Sequence, residues 1–153
     1  MRLFSSEVLI QARAAIVWDV ITDGGNFGVW ESGIVEADGA VRAGDTVRIT
    51  PSGGRRPVKL RVRQVSGNVM TWHRRLPFGL WNRTRTFTLT PQAGKTRLSV
   101  VEKHRGMLLP FSKHGSKDLF LDRFTDAVRR RSEILDRATP ETRAMQNLMK
   151  AAG

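Results

Sequence analysis

Cysteine and tyrosine are both absent from this chain of 153 residues. Without cysteine there is no disulfide, no thiolate metal ligand and no cysteine nucleophile, which fits a reducing compartment such as the cytoplasm. Without tyrosine, one common acid is missing from any catalytic site. His73 and His114 have no second ligand at metal-binding spacing. The pairs Gly24-Gly25 and Gly53-Gly54 do not fit the strand-to-helix pattern of a phosphate-binding loop. We therefore expect neither a metal nor a cofactor.

Long apolar runs are also missing. No stretch approaches the eighteen or so apolar residues of a membrane span, and the N-terminus lacks the apolar core of a signal peptide. The composition does not change along the chain, so we expect one soluble, cytoplasmic domain over residues 1–138. Residues 139–153 are predicted to be a tail that is a short helix or disordered. Met145, Leu148 and Met149 lie at helical spacing there, so the tail could pack on a second subunit in a homodimer.

Acidic residues are few, with 14 Asp and Glu against 26 Lys and Arg and a formal net charge of +12. An excess of this size makes nucleic acid, an anionic membrane surface and an acidic ligand candidate partners. Arginine is spread from Arg2 to Arg143 rather than gathered in a tail. Any basic surface must therefore be assembled by the fold.

Most of the chain alternates between apolar and polar residues, which is typical of half-buried strands. A short helix ends at Asp23-Gly24-Gly25, and a second is predicted from Asn26 to Ser32. A long amphipathic helix is predicted over 116–137, with an apolar stripe. The predicted strands cover 4–11, 46–50, 58–63, 70–75, 81–90 and 98–104, and the stripe consists of Phe120, Phe124, Ala127 or Val128, Ile134 and Leu135.

Most of these strands follow one another through hairpins, so they are antiparallel and the fold class is α+β. One apolar sheet face and one long amphipathic helix are best buried against each other. We therefore expect a curved antiparallel sheet of about seven strands wrapped around the C-terminal helix, with two short helices after the first strand.

A family resemblance rests on three features of the sequence. They are the segment VWDVITDGGNFGVWESGI, the glycines Gly39 and Gly44 before Val47, and FTLTP before the Gly94 turn and Thr96. The chain resembles the START/Bet v 1-like (SRPBCC) superfamily, in particular its bacterial polyketide cyclase/dehydrase-like and lipid-transport-like members. The resemblance covers roughly residues 3–137. It implies a helix-grip fold with an apolar cavity between sheet and helix that holds lipids, polyketides or other hydrophobic molecules.

The predicted hairpin at Ala93 sets Leu89 opposite Leu98 and so fixes the register of the last two strands. Arg85 then faces Glu102, and Arg83 faces His104, on the same side as Phe87 and Val100. A structural salt bridge is the first interpretation of the Arg85–Glu102 pair. The alternative is the polar end of a ligand pocket, where Glu102 or His104 acts as a general base and Arg85 stabilises an enolate.

Other inward-facing side chains are predicted to line the same cavity. Tryptophans there would be either plain core residues or pocket walls that favour flat ligands. The loop from Met107 to Phe111 is predicted to be a cavity entrance or a buried crossover. The candidate ligand-binding residues are Phe27, Trp30, Leu60, Val62, Met70, Trp72, Trp81, Arg83, Phe87, Val100, Phe120 and Phe124.

The opposite face of the sheet collects basic side chains: Lys59, Arg61, Arg63 and Arg75, with His73 among them. A solvated face is the first interpretation. Binding to anionic lipid headgroups or to nucleic acid is the alternative, and the lack of aromatic residues in the patch disfavours nucleic acid.

Three functions therefore remain open. The first is binding of a hydrophobic small molecule. The second is a polyketide cyclase, aromatase or dehydratase that uses Arg85, Glu102 and His104. The third is a basic module that docks on a membrane or on nucleic acid.

Overall fold

The structure, a computed structural model, describes residues 1–30, 32–38, 44, 46–51, 56–65, 68–107, 119–138, 148–149 and 151–152. Within these ranges, residues 1–138 contribute seven strands and two α-helices. The elements are β1 (Arg2–Ile10), α1 (Ala14–Thr22), β2 (Ile34–Asp38), β3 (Thr46–Pro51), β4 (Val58–Val65), β5 (Val69–Arg75), β6 (Asn82–Gln92), β7 (Lys95–Arg105) and α2 (Leu119–Arg137).

The seven strands form one curved antiparallel sheet in the order β1-β7-β6-β5-β4-β3-β2. The first strand is therefore at one edge and the second strand is at the other. The segment between them, which includes α1, must cross from edge to edge before the chain returns strand by strand. This arrangement confirms the predicted α+β helix-grip fold.

The hairpin between β6 and β7 turns at Ala93 and Gly94, whose φ angles are 48° and 81°. Two successive left-handed residues are typical of the type I′ turn, which matches the twist of the flanking strands. The turn sets the predicted register, with Leu89 opposite Leu98 and Arg85 opposite Glu102.

Two sequence predictions about the helices need correction. The second short helix is a 3-10 helix at Gly24–Asn26 rather than a helix from Asn26 to Ser32, because Ser32 instead accepts the Ile34 N–H and donates to the Phe27 carbonyl. Phe27 and Trp30 are nevertheless buried, as predicted. Ile134 of α2 is 53% exposed and lies off the buried stripe.

The predicted stripe residues Phe124, Ala127 and Val128 are buried and Leu135 is partly buried, and Leu121 and Ser132 complete the buried stripe of α2. These positions recur every three or four residues, which is the period of one helix face. Polar contacts hold α2 against the start of the chain, because Ser6 and Thr125 share a hydrogen bond of 3.0 Å and Arg13 pairs with Asp136 at 2.9 Å.

In the described part of the chain, no helix is both long enough and apolar enough to cross a membrane. Residues 148–149 and 151–152 of the predicted tail are helical, and Leu148 is 70% exposed. Packing of this tail on a second subunit stays a prediction. Residues 108–111 of the predicted entrance loop, and Gly39, lie outside the described residues.

Candidate functional site

Three polar side chains form a buried cluster on the inner face of the sheet. Arg85 of β6 is 5% exposed, while Glu102 and His104 of β7 are 1% and 2% exposed. Arg85 donates from Nε to Glu102 Oε2 at 2.6 Å, and its Nη2 contacts the same oxygen. His104 Nε2 lies 2.5 Å from the other carboxylate oxygen, Oε1. Both oxygens of Glu102 are therefore held by protein partners.

The environment of Glu102 sets its charge. Burial raises its pKa, but the hydrogen bond with His104 and the nearby charge of Arg85 outweigh burial and lower the pKa from 4.5 to about 2. Glu102 is therefore ionised at neutral pH and is a weak base there, since a good general base has a pKa near the working pH.

Aromatic rings enclose the imidazole of His104. The ring of Phe4 lies edge-on at 5.5 Å between centroids, and the ring of Trp81 lies at the same distance on a tilt. Trp81 in turn stacks with the guanidinium groups of Arg74 and Arg83, at 5.3 and 5.8 Å. At this end of the sheet, the polar cluster is therefore bordered by aromatic rings and by the guanidinium groups of Arg74 and Arg83.

The rest of the interior is lined by a five-ring cluster: Phe27, Trp30, Trp72, Phe87 and Phe124. Neighbouring centroids lie 4.7 Å apart for Trp72 and Phe87 and 5.8 Å apart for both Phe27–Trp30 and Phe87–Phe124. The rings come from the segment after α1, from the sheet and from α2. Sheet and helix are therefore joined by a largely aromatic interface.

Trp72 connects the aromatic cluster to the polar cluster. It belongs to a row of residues that are paired across neighbouring strands: Trp72 on β5, Arg85 on β6, Glu102 on β7 and Phe4 on β1. Its side chain is buried, and its indole Nε1 is a buried donor with no hydrogen-bond partner in the described structure. Because buried donors are nearly always satisfied in native proteins, this N–H calls for an explanation.

Most of the candidate ligand-binding residues are buried in the core, while their role in binding a ligand stays a prediction. Leu60, Val62, Met70 and Val100 are all buried in the same core as the five rings. Trp81 and Arg83 are only half-buried, at the end of the sheet. The side chain of Phe120 lies outside the described residues.

The outer face carries the predicted basic patch. Lys59, Arg61, Arg63 and Arg75 are all exposed and project from the side of the sheet opposite the core. They border a groove with a volume of about 520 Å³. Sequence reasoning missed further lining residues, among them Asn82, Thr84 and Arg105. The alternation of β6 and β7, continued from the register of His73, could have identified them.

Within the described residues, no group of three or more His, Asp or Glu side chains could hold a metal ion. Arg85 pairs with one oxygen of Glu102. The carboxylate of the buried cluster is therefore already neutralised and is a poor ligand for a metal cation.

Comparison with protein families gives one match. The model of the family "polyketide cyclase / dehydrase and lipid transport" matches residues 1–138. No curated protein matches the chain.

Solved structures share the fold at low sequence identity. Protein MLL2253 from Mesorhizobium loti is 21% identical with a TM-score of 0.66, and the match covers 90% of this chain and 99% of that protein. A START superfamily protein from Mycobacterium smegmatis is 16% identical with a TM-score of 0.67, covering 87% and 98%. The di-domain ARO/CYC BexL from the BE-7585A biosynthetic pathway is 15% identical with a TM-score of 0.64, covering 92% of this chain and 48% of BexL.

Proposed function

Because the chain belongs to the polyketide cyclase/dehydrase and lipid-transport family, we propose that it binds a hydrophobic small molecule, a lipid or a polyketide-like compound, between the sheet and α2. The buried, unpartnered indole N–H of Trp72 is the main support for this function. An indole nitrogen can only donate, so its natural partner is an acceptor such as a ligand carbonyl or hydroxyl oxygen.

The neighbours of Trp72 suit a ligand that is mostly apolar with one polar end. Phe87 and Phe124 offer ring surfaces at 4.7 and 6.2 Å from Trp72. On the other side, Arg85 is fixed by Glu102 and follows Trp72 in the cross-strand row. Small-molecule sites typically combine apolar walls with a few oriented polar groups in this way.

The low pKa of Glu102 supports a positioning role for the polar cluster. A carboxylate that stays ionised down to about pH 2 holds Arg85 in place but accepts protons poorly at neutral pH. In this proposal, Glu102 orients Arg85 and His104 so that they hydrogen-bond a polar group of the ligand.

Ligand titration followed by ¹⁵N NMR of the indole N–H signals tests the proposal. Two probes distinguish the ligand classes: alizarin, a planar hydroxylated anthraquinone, and oleic acid, a flexible lipid. We expect at least one probe to bind with micromolar affinity and to shift the Trp72 N–H signal. Trp72→Phe, which keeps a ring but removes the donor, should weaken binding roughly fivefold, the effect of one hydrogen bond.

Trp18→Phe is the matched control, because Trp18 lies on α1 at the margin of the core. It should leave affinity within twofold of wild type. The assignment of Trp72 is wrong if neither probe binds, if Trp72→Phe binds as tightly as wild type, or if Trp18→Phe loses as much affinity as Trp72→Phe.

An enzyme that cyclises or dehydrates a polyketide-like substrate is the second candidate. Its support is His104, which is held against Glu102 between two aromatic rings on the inner face. In that reaction, His104 would take a proton from the carbon beside a carbonyl, and Arg85 would stabilise the enolate oxygen. The enolate carbon would then attack a second carbonyl of the same molecule, the alkoxide would take the proton back from His104, and the resulting hydroxyl could leave as water. Mass spectrometry of a poly-β-ketone substrate after incubation separates the two functions. Loss of water, or a cyclised isomer of the same mass that chromatography separates from the substrate, in wild type but not in His104→Gln supports catalysis. Recovery of the unchanged substrate supports binding alone.

A further inference from the structure

The outer face of the sheet holds a groove whose walls and floor differ in chemistry. Lys59, Arg61 and Arg63 project from β4 along one side, and Arg105 projects from β7 on the other. Between them, β5 and β6 contribute the shorter polar side chains of His73, Thr84 and Asn82. Long basic side chains therefore flank a polar floor, on the side of the sheet opposite the aromatic interior.

The strand register places the floor residues together. Arg61 is opposite His73, which is opposite Thr84. The hydroxyl of Thr84 lies 3.2 Å from His73 Nδ1. The next row places Arg75 opposite Asn82 and Asn82 opposite Arg105. Neighbouring strands are about 4.8 Å apart, so β4 and β7 are separated by about 14 Å, a span that suits a small molecule.

The charge of the groove is all of one sign. Six lining residues are Lys or Arg, and none of the described lining residues is Asp or Glu. Lys59, Arg61, Arg63 and Arg75 make no ion pair with a carboxylate in the described part of the chain. Burial, together with the positive charges of Arg63, Arg75 and Arg61, lowers the pKa of His73 below its usual value. The arginines thus create a positive potential at the groove floor.

A single phosphate carries a charge of about −1.5 to −2, which would leave most of this positive charge unpaired. Arg side chains bind phosphate through two parallel hydrogen bonds and hold it more specifically than Lys does. The volume of about 520 Å³ falls within the range of small-molecule sites. We propose that this outer groove binds a soluble small molecule that carries two or more phosphate groups.

Two other anionic partners fit less well. A flat bilayer surface would touch the long basic side chains but would not reach His73 and Thr84, which are half-buried. Single-stranded nucleic acid is normally held partly by bases stacked on aromatic rings, and the described lining contains no Phe or Trp.

Calorimetric titration of the full chain with tripolyphosphate in 0.15 M salt tests the proposal. At this ionic strength, charges more than about 8 Å apart are largely screened, so contact pairs dominate the binding. Tripolyphosphate should bind at least tenfold more tightly than inorganic phosphate. Arg61→Gln/Arg63→Gln should weaken tripolyphosphate binding at least tenfold. The control, Arg123→Gln/Arg137→Gln, removes two exposed charges from α2 and should stay within twofold of wild type.

NMR of wild-type histidines gives a second test that does not depend on a variant. Phosphate bound near His73 should raise the pKa of His73 and shift its ring signals. The ring signals of His104, which lies on the inner face, should keep their chemical shifts. The proposal is wrong if wild type does not bind tripolyphosphate, if the α2 variant loses as much affinity as the groove variant, or if His73 is unmoved. Binding only to phosphatidylglycerol vesicles or only to single-stranded RNA would also overturn it. Because the groove is on the opposite face, none of these results depends on the inner ligand.

Discussion

Replacing Glu102 by Gln removes the charge at the centre of the buried cluster and keeps the size of the side chain. Arg85, a buried cation that is only 5% exposed, would then lose its ion pair with Glu102. Removing one member of a buried ion pair typically costs about 3–5 kcal/mol, because the remaining buried charge loses the attraction that offset its desolvation.

The pKa of Glu102 gives an independent magnitude. Its value of about 2 in the folded protein, against 4.5 ordinarily, corresponds to about 3 kcal/mol of stability at 1.36 kcal/mol per pKa unit. Because the folded pKa is lower than the unfolded one, this contribution is fully present above about pH 4.5. It falls by about 1.4 kcal/mol per pH unit as the pH decreases, and it is lost near pH 2.

Urea unfolding at pH 7 measures the effect. We expect Glu102→Gln to lower the free energy of unfolding by about 3 kcal/mol, and the gap from wild type to narrow as the pH falls below 4.5. The matched control is Glu7→Gln on β1, which breaks the exposed Glu7–Arg97 pair of 2.5 Å. Exposed pairs contribute about 1 kcal/mol or less.

Two results would refute this reasoning. One is a loss in Glu102→Gln no larger than that in Glu7→Gln. The other is a loss that stays constant from pH 7 to pH 3, since the effect would then not come from the charge of Glu102.

Two further predictions concern the fold around the site. Ala93 has a φ of 48°, so Ala93→Asn, which suits the left-handed region, should raise the free energy of unfolding by about 1 kcal/mol, whereas the β-branched Ala93→Val should lower it. Phe124 contacts the rings of Phe27, Trp30, Trp72 and Phe87, so Phe124→Ala should cost about 3–5 kcal/mol in urea unfolding. Ile134→Ala on the same helix should cost less than about 0.5 kcal/mol because Ile134 is exposed. Equal losses in the two helix variants would show that the assigned stripe is wrong.

The sequence was sufficient to predict six of the seven strands and the register of the β6–β7 hairpin, but the edge strand β2 (Ile34–Asp38) was not predicted. Apolar and polar side chains alternate with a period of two along β6 and β7, which is typical of strands, and Gly94 marks the turn between them. The Arg85–Glu102 pairing could therefore be predicted by counting residues back from the turn. The inward burial of Phe27 and Trp30 was also predictable, because large aromatic residues beside a glycine break must find an apolar partner.

Other features depended on tertiary packing. Ile134 and Leu121 are both apolar, and only the direction from which α2 meets β1 and α1 decides which of them is buried. The unpartnered N–H of Trp72 and the groove around Asn82 follow from side-chain positions on several strands. A single sequence gives the types of these residues but not the distances between them.

Native mass spectrometry of the protein, purified gently from its own host, most directly tests the claim that the interior holds a hydrophobic ligand. We predict a species whose mass exceeds that of the chain by one small apolar molecule, and a smaller bound fraction in Trp72→Phe than in Trp18→Phe. A bare chain in every preparation, together with no binding of alizarin or oleic acid, would contradict the account.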